Sequence, residues 1–266
     1  MTLGVCLAGA TGWAGSELAR AIAQAPDLGL VAAVSRSYAG QDLRAALGGN
    51  LPACPVFATA QEALERPCEV FVEYTGVASA KASVLAALDH GAHVVIGSSG
   101  LSDEDYAQID AVARAKGLGV LACGNFALTV VLLQKFAEMA ARYIPQWEII
   151  DYANDGKRDA PSGTARELAS RLAAVRAPQP TVPLDQTAGL REARGATLAG
   201  TQVHSLRLPG FVISAEVIFG MPDQKLTLRH DAGASARPYV DGALLAVRKV
   251  SSLVGLHRGL DRVLDL

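Results

Sequence analysis

A glycine-rich turn near the start of the chain limits the fold more strongly than any other segment. The apolar segment Leu3–Ala8 is typical of a short strand, and the apolar spacing from Leu18 to Ala23 is typical of a helix. Between them lies Gly-Ala-Thr-Gly-Trp-Ala-Gly, residues 9–15. This order is typical of a dinucleotide-binding turn, whose glycines allow a tight turn, close approach of a pyrophosphate and close helix packing. The alternative is a glycine turn that serves packing alone.

The end of the second strand-like segment indicates which nucleotide is bound. The segment Leu28–Val34 is followed by Ser35 and Arg36. NAD-preferring proteins place a carboxylate here for the ribose 2′-hydroxyl, whereas a guanidinium beside a hydroxyl suits a 2′-phosphate. We therefore predict a preference for NADPH without excluding NADH; the alternative is an exposed loop arginine. The nucleotide-binding residues predicted from these two segments are Gly9, Ala10, Thr11, Gly12, Trp13, Ala14, Ser35 and Arg36.

Strand-like and helix-like segments continue to alternate up to residue 122. Strands are predicted at 70–74, 92–96 and 118–122, and helices at 79–89 and 103–116. Short apolar strands separated by helices predict a parallel, doubly wound sheet with right-handed crossovers, so the fold class is α/β with a Rossmann-like sheet. Ligand sites of such sheets lie beyond the carboxyl ends of the strands.

The pattern changes after Asn125. Helices are predicted at 128–143 and from Pro161 to about Ala174, and strands at 147–152, 200–208, 212–219 and 225–231. The last three strands are separated by Pro209-Gly210 and by residues 221–223, which are typical of turns between antiparallel strands. We therefore predict a second, α+β domain with a mixed sheet. The predicted domains are 1–124 with 235–266 for dinucleotide binding, and 125–234 for substrate binding and oligomerisation.

The loop between the strand at 147–152 and the next helix has the features of an anion site. Residues 157–165 read Lys-Arg-Asp-Ala-Pro-Ser-Gly-Thr-Ala. Pro161 is expected to open the first helical turn, so that the small residues after it present unpaired backbone N–H groups. Lys157 would add a mobile charge, and a carboxylate would be held by charge and helix dipole together. The alternative is an ordinary capped helix after a polar loop.

The segment Lys157–Ala165 closely resembles the signature loop of the dihydrodipicolinate reductase family, NAD(P)H enzymes of bacterial lysine and diaminopimelate biosynthesis. The resemblance implies that Lys157 and the Ser162-Gly163-Thr164 segment bind a small dicarboxylate. Residues 74–76, 97–100 and 123–126 resemble family segments that line the nicotinamide end of the cofactor. They imply further nucleotide-binding residues, namely Thr75, Gly97, Ser98, Ser99, Gly124, Asn125 and Phe126. Matches at 203–207, 229–230, 235–237 and in the closing segment 255–266 extend the resemblance over the whole chain.

The resemblance also implies a homotetramer built through the sheet of the second domain. An apolar sheet face with little polar cover is consistent with that use. The residues assigned to this face are Val203, Leu206, Leu208, Val217 and Phe219.

The chain departs from the family where a proton donor is expected. The family loop reads Glu-x-His-His-x-x-Lys, with the first histidine as proton donor and the second as a substrate contact. Here Ala153 and Asn154 stand at those positions. Alanine carries no proton, whereas Asn154 can still hydrogen-bond a carboxylate. Lys157 is therefore the predicted catalytic residue, because a desolvated lysine can transfer a proton; Tyr152, His204 and a bound water are weaker candidates.

Composition excludes several other classes of function. The formal net charge of −2 and the lack of a Lys/Arg run indicate neither a nucleic-acid nor a membrane partner. The four cysteines form no Cys-x-x-Cys pair, so no metal site is expected. No apolar run reaches the roughly 18 residues of a membrane span and no leader is evident, so a cytoplasmic protein is expected.

These patterns together predict an enzyme. We expect an NAD(P)H-dependent reductase of a small anionic cyclic imine, as the family resemblance implies. Two alternatives stay open because Ala153 replaces the usual acid. One is a divergent paralogue that reduces another imine or carbonyl acid, and the other is a non-catalytic NADPH-binding sensor.

Overall fold

The computed structural model describes residues 2–265, so that Met1 and Leu266, the outermost residues of the predicted dinucleotide-binding domain, lie outside it. The strands are β1 (Leu3–Ala8), β2 (Leu28–Val34), β3 (Val56–Phe57), β4 (Val70–Glu73), β5 (His93–Ile96), β6 (Gly119–Ala122), β7 (Gln146–Ala153), β8 (Ala196–Leu198), β9 (Thr201–Arg207), β10 (Ile213–Met221), β11 (Gln224–Ala232) and β12 (Gly255–Arg258). The α-helices are α1 (Trp13–Gln24), α2 (Leu43–Leu47), α3 (Ala60–Leu64), α4 (Val77–Asp89), α5 (Asp103–Lys116), α6 (Leu128–Tyr143), α7 (Gly163–Val175) and α8 (Val240–Lys249).

The chain forms two compact units. Unit 1 runs up to Leu128 and resumes at Ala236, and unit 2 is Thr129–Ser235. The sequence placed these boundaries earlier, after residues 124 and 234. The first boundary lies further along because Phe126 packs within unit 1, where its ring centroid is 5.8 Å from that of Tyr74.

Unit 1 is built on a parallel sheet of seven strands. Their order is β12-β6-β5-β4-β1-β2-β3, and every pair in it is parallel. The chain winds outward from β1 in one direction through β2 and β3, and from β4 in the other. The strand order therefore reverses between β1 and β4, the position at which ligands bind in sheets of this type. The predicted Rossmann-like α/β class is confirmed.

Five elements of unit 1 were not predicted, namely α2, β3, α3, α8 and β12. The first three are short, at five, two and five residues, so they show almost no periodicity from which to predict them. Local side-chain bonds compensate for their length. Thr59 and Glu62 form a reciprocal capping box at the start of α3, and the Asp42 carboxylate accepts the Arg44 N–H at the start of α2.

Unit 2 is built on a mixed sheet of five strands in the order β11-β10-β7-β9-β8. The turn at residues 222–223 joins the antiparallel pair β10 and β11, as predicted. The turn at Pro209-Gly210 does not join an antiparallel pair. β7 lies between β9 and β10, parallel to the first and antiparallel to the second. The prediction was wrong because turn residues fix a change of direction and do not determine which strand becomes the neighbour.

The two faces of this sheet differ. On one face, β7, β9 and β10 pack with α6 and α7 into a core that contains Trp147, Ile149 and Leu168. Val203, Val217 and Phe219, which the sequence assigned to an oligomer surface, are buried in this core. That part of the prediction was wrong, because an apolar strand face does not reveal whether its cover comes from the same chain. The opposite face, which we call the open face, carries Glu148, Ile150 and Tyr152 of β7. The helices α6 and α7 pack on the other face, whereas Arg194, in the 3-10 helix Arg191–Arg194, pairs with Glu148 on the open face.

Candidate functional site

The glycine turn of unit 1 has the geometry that its sequence predicts. Gly9 has a φ of +79°, and a Cβ placed on it would lie 2.4 Å from the Tyr74 carbonyl oxygen. A Cβ on Gly15 would lie 2.1 Å from the Gly9 carbonyl oxygen. Gly12 is the N-cap of α1 and supplies no side-chain hydrogen bond to the helix. The first N–H groups of α1 therefore stay open to an anion.

The residues at the end of β2 lie beside this turn. The Ser35 and Thr11 hydroxyl oxygens are 2.7 Å apart. Arg36 is exposed and makes no hydrogen bond or ion pair within residues 2–265. Trp13, the first residue of α1, is 61% exposed although its ring contacts that of Tyr239 edge-on, at 5.7 Å between centroids. A hydroxyl pair, a guanidinium and an exposed indole thus flank one helix start.

The loops after β4, β5 and β6 come together around Tyr74. The Gly97 backbone packs on the Tyr74 ring so closely that a Cβ would lie 2.4 Å from it. The Phe126 ring contacts the same side chain. Burial raises the pKa of the Tyr74 phenol, so it stays protonated. The other residues predicted for these loops are half-buried or exposed, namely Thr75, Ser98, Ser99, Gly124 and Asn125.

Buried polar groups hold two of these loops in shape. The Glu73 carboxylate is wholly buried at the end of β4 and accepts hydrogen bonds from both the N–H and the hydroxyl of Thr75. The Asn125 side-chain oxygen accepts the Ala127 N–H at 2.8 Å. Asn125 Oδ1 is therefore engaged within the loop, and its amide N–H groups are the ones left for a ligand.

The signature loop of unit 2 leads into α7 differently from the prediction. Ser162 is the N-cap and Gly163 the first helical residue, so Pro161 precedes the helix and does not open its first turn. The prediction of unpaired N–H groups fails for Ser162, whose N–H donates to Asp151 Oδ2 at 2.8 Å. Its hydroxyl accepts the Ala165 N–H. Gly163 and Thr164 remain the residues whose N–H groups have no acceptor within the helix.

Lys157 and Asn154 lie on the loop that precedes this helix start. The Lys157 ammonium is 2.7 Å from the Asp159 carboxylate, and its side chain is 30% exposed. The Lys157 N–H donates to the Asn154 carbonyl, and Asn154 Oδ1 accepts the Gly156 N–H at 3.0 Å. The loop is therefore a compact turn, in which Asn154 is exposed and Lys157 is partly buried.

The strand alternation of β7 separates the suggested proton donors. Asp151 and Ala153 face α6 and α7, and Ala153 is completely buried. Tyr152 lies on the open face, where its hydroxyl donates to Glu216 at 3.2 Å and Arg229 covers its ring. His204 lies on the same face, 2.6 Å from Glu148. Neither side chain occupies the position that a histidine at residue 153 would have, so neither replaces it directly.

A buried ion pair that the sequence analysis did not single out lies behind the signature loop. The Arg207 guanidinium donates to Asp151 Oδ2 at 2.7 Å, and Ser205 donates to the same oxygen at 3.2 Å. Burial raises the pKa of the Asp151 carboxyl, but the hydrogen bonds from Ser162 and Arg207 outweigh it, and the pKa lies below its ordinary value. Ser205 and Arg207 are two residues apart on β9, so both side chains lie on the same face of the strand. This spacing is the sequence feature from which the pair could have been predicted.

Outside these loops, the described chain has a cavity but no group of side chains suited to a metal ion. A cavity of about 490 Å³ lies at the opposite end of β7 from the signature loop, lined among others by Trp147, Glu148 and Gln202. Within residues 2–265, no group of His, Cys, Asp and Glu side chains is arranged to hold a metal ion. Each helix there is too short or too polar to cross a lipid bilayer.

Unit 1 has a parallel sheet with a glycine turn at its switch point, and unit 2 has a mixed sheet with a lysine-bearing loop. This is the architecture of a pyridine-nucleotide-dependent oxidoreductase. Family models described as "Dihydrodipicolinate reductase, N-terminus" and "Dihydrodipicolinate reductase, C-terminus" match residues 3–126 and 129–264. The chain therefore belongs to the dihydrodipicolinate reductase family. The predicted family, fold class and enzyme class are confirmed.

Individual relatives match over the full length. The 4-hydroxy-tetrahydrodipicolinate reductase of Moorella thermoacetica is 40% identical, over 99% of this chain and 98% of its own. That of Thermosynechococcus vestitus is 38% identical, over 98% and 97%. A solved structure of dipicolinate-bound dihydrodipicolinate reductase from Paenisporosarcina sp. TG-14 superposes with a TM-score of 0.89 and 32% identity, over 99% of this chain and 100% of that one.

Proposed function

We propose that this chain uses NADPH to reduce a small cyclic imine dicarboxylate of the 4-hydroxy-tetrahydrodipicolinate type. The observation that carries the proposal is the geometry of the signature loop. It presents the Lys157 ammonium and, at the start of α7, the unpaired N–H groups of Gly163 and Thr164. A nucleotide bound to unit 1 would supply the hydride.

Two kinds of interaction support carboxylate binding by this loop. An anion at a helix start gains typically 0.3–1 kcal/mol from the dipole. A hydrogen bond to a charged group contributes about 1.5–3 kcal/mol. The second contribution applies to the Lys157 ammonium and to the Gly163 and Thr164 N–H groups alike, because each would donate to a charged carboxylate. The dipicolinate bound by the Paenisporosarcina relative is a dicarboxylate of this kind.

The preference for NADPH rests on the end of β2. No carboxylate follows this strand, while Arg36 is unpaired within residues 2–265 and the hydroxyls of Ser35 and Thr11 lie beside the turn. A 2′-phosphate would receive a charge-assisted hydrogen bond there. A ribose 2′-hydroxyl would find no acceptor of comparable strength.

We propose Lys157 as the group that donates the proton accompanying hydride transfer. Residue 153 is an alanine, while Tyr152 and His204 lie on the open face and are bonded to Glu216 and Glu148. Among the candidates from the sequence, Lys157 is the one that carries a proton on the loop itself. General acid help is typically worth roughly 10²–10⁴-fold in rate.

The replacement of both histidines also favours a second candidate function. A paralogue that reduces another imine or a 2-oxo acid would need less acid help if its product took the proton from water. A cofactor-binding sensor would need none. The retained Lys157 and Ser162-Gly163-Thr164 support an enzyme over the sensor, because binding a nucleotide alone does not require a second anion site.

We also propose that the protein assembles as a homotetramer through the open face of unit 2. Leu206 and Ile218 on this face are partly exposed, and the polar groups among them are paired with one another, as in Glu148 with His204. Polar groups that are already hydrogen-bonded to one another cost less to bury in an interface than unpaired groups would. Light scattering after gel filtration tests the subunit number.

The four cysteines are free, which is consistent with a reducing cytoplasm.

The functional test compares substrates. Oxidation of NADPH is followed by its absorbance with freshly made 4-hydroxy-tetrahydrodipicolinate, and then with a panel of cyclic imines and 2-oxo acids. Rapid turnover of the first is the expected result. Turnover of other compounds alone would identify a paralogue, and nucleotide binding without turnover would identify a sensor. Either outcome contradicts the main proposal.

A further inference from the structure

We infer that Arg207 and Asp151 are positioning residues for the signature loop, and that Arg207 acts on substrate binding through Lys157. The inference rests on the proposed function, because it gives Lys157 a carboxylate to bind. Neither Arg207 nor Asp151 needs to touch the substrate. Their effect comes from the main-chain atoms that they hold.

Arg207 connects the last residue of β9 to the loop that follows β7. One guanidinium nitrogen, Nη2, donates both to Asp151 Oδ2 and to the Asp159 carbonyl oxygen, each at 2.7 Å. The other, Nη1, donates to the carbonyl oxygens of Asp151 and Leu206. A single side chain therefore holds the strand and the loop at a fixed separation.

Asp151 fixes the other end of the same segment. Its Oδ2 accepts the Ser162 N–H at 2.8 Å, immediately before the first residue of α7. The segment between Asp159 and Ser162 is therefore attached at both ends to one buried ion pair. The Gly163 and Thr164 N–H groups take their direction from the helix that starts there.

The position of Lys157 depends on the first of these attachments. Its ammonium pairs with the Asp159 carboxylate at 2.7 Å, and the carbonyl of that same residue is held by Arg207. Removing the guanidinium bond frees Asp159, and with it the neighbour that directs Lys157. A displacement of about 1 Å in a binding group can cost about 100-fold in rate.

Burial makes the ion pair suitable for this role. The Asp151 side chain is completely buried and that of Arg207 is 16% exposed. Hydrogen bonds among buried groups are less weakened by water than those at the surface. The planar guanidinium also bonds in two directions, which a lysine ammonium does not reproduce in the same geometry.

The test uses Arg207→Lys, which keeps the charge beside Asp151 but loses the fork that reaches the Asp159 carbonyl. Dipicolinate serves as the probe, and its Kd is measured by calorimetry with NADPH present. We expect the Kd to rise about tenfold, while the Kd of NADPH stays within about twofold. Ser205→Ala is the matched control, because it removes one bond to Asp151 and none to the loop; its dipicolinate Kd should stay within about twofold. Circular dichroism and thermal unfolding establish that each variant is folded.

A double-mutant comparison with Lys157→Met separates positioning from general stability. If Arg207 acts through Lys157, Arg207→Lys should change the dipicolinate Kd by less than about twofold once Lys157 is methionine. An equal change in both backgrounds would overturn the inference, as would an unchanged Kd in Arg207→Lys alone. If Lys157→Met itself leaves the Kd unchanged, the proposed carboxylate site fails and the inference fails with it. The first two outcomes leave the proposed function intact.

Discussion

Two strand–loop–helix turns, β1 to α1 and β7 to α7, each end in a helix start with open N–H groups. They differ in whether backbone or side-chain atoms shape the turn. The first uses backbone and glycine, and Gly12 caps α1 without a side-chain bond. The second uses a serine cap, a buried ion pair and a lysine. A pyrophosphate needs room for close approach to the backbone. A carboxylate on a small ligand needs charge and direction, which side chains supply.

The largest expected effect concerns the backbone turn. Gly15→Ala places a Cβ 2.1 Å from the Gly9 carbonyl oxygen, which cannot move aside. We expect the free energy of unfolding to fall by about 3 kcal/mol or more, which is the upper range for overpacking. Chemical denaturation measures it.

Gly12→Ala is the matched control for this turn. Its Cβ would lie 3.2 Å from the same oxygen. We expect it to lose less than about 1.5 kcal/mol of unfolding free energy, within the range of tolerated core changes, while weakening NADPH binding. Equal destabilisation by both variants would mean that the two glycines do not have separate roles, Gly15 in helix packing and Gly12 in the approach of the nucleotide.

The lysine of the second turn gives the next largest effect. Lys157→Met should lower turnover by at least about tenfold, because a positive charge and a proton source are both lost. NADPH affinity, measured by quenching of tryptophan fluorescence, should stay unchanged. Unaltered turnover would remove Lys157 from the mechanism.

Arg36 tests whether unit 1 also uses a side chain for charge. Arg36→Met should reduce the preference for NADPH over NADH by about tenfold, since a charge-assisted hydrogen bond of about 1.5–3 kcal/mol is lost. The ratio of kcat/KM for the two nucleotides is the measurement. A constant ratio would assign the selectivity to other residues.

Restoring the missing acid gives a smaller effect. Ala153→His should raise turnover of 4-hydroxy-tetrahydrodipicolinate a few-fold if only the acid is lacking, although a histidine at this fully buried position will lower stability. A parallel measurement of the unfolding midpoint separates the two effects. No gain in a folded variant would favour the paralogue.

The smallest effect is a pH dependence of stability. The folded-state pKa of Asp151 lies below its ordinary value of 3.8, so its contribution is complete above pH 3.8 and is lost as the pH falls through the folded pKa. Asp159 pairs at the surface, and Lys157 lowers its pKa as well. Replacement by asparagine at either position should flatten acid unfolding, more so at the buried residue 151. An equal change in acid unfolding at both positions would mean that burial does not strengthen the Asp151–Arg207 ion pair relative to the surface pair of Asp159.

Local patterns predicted the local features of this molecule, and long-range partners escaped them. The bounds of β2, α5 and α6 were predicted to the residue, because each has a clear apolar period. The position of Gly9 and Gly15 followed from a turn contained within a few residues. The Asp151–Arg207 pair did not, since its members are 56 positions apart in the chain. Their contact depends on β9 lying parallel to β7, which neither segment encodes alone.

The bonds that hold the signature loop have a consequence for how such an enzyme changes over time. Asp151 and Arg207 reach the Ser162 N–H and the Asp159 carbonyl, which every amino acid would offer at those places except proline at the first. These two attachments use main-chain atoms and do not involve the side chains of residues 153 and 154. Substitutions at those two positions can therefore alter the chemistry of the loop while its attachments at Asp159 and Ser162 are retained.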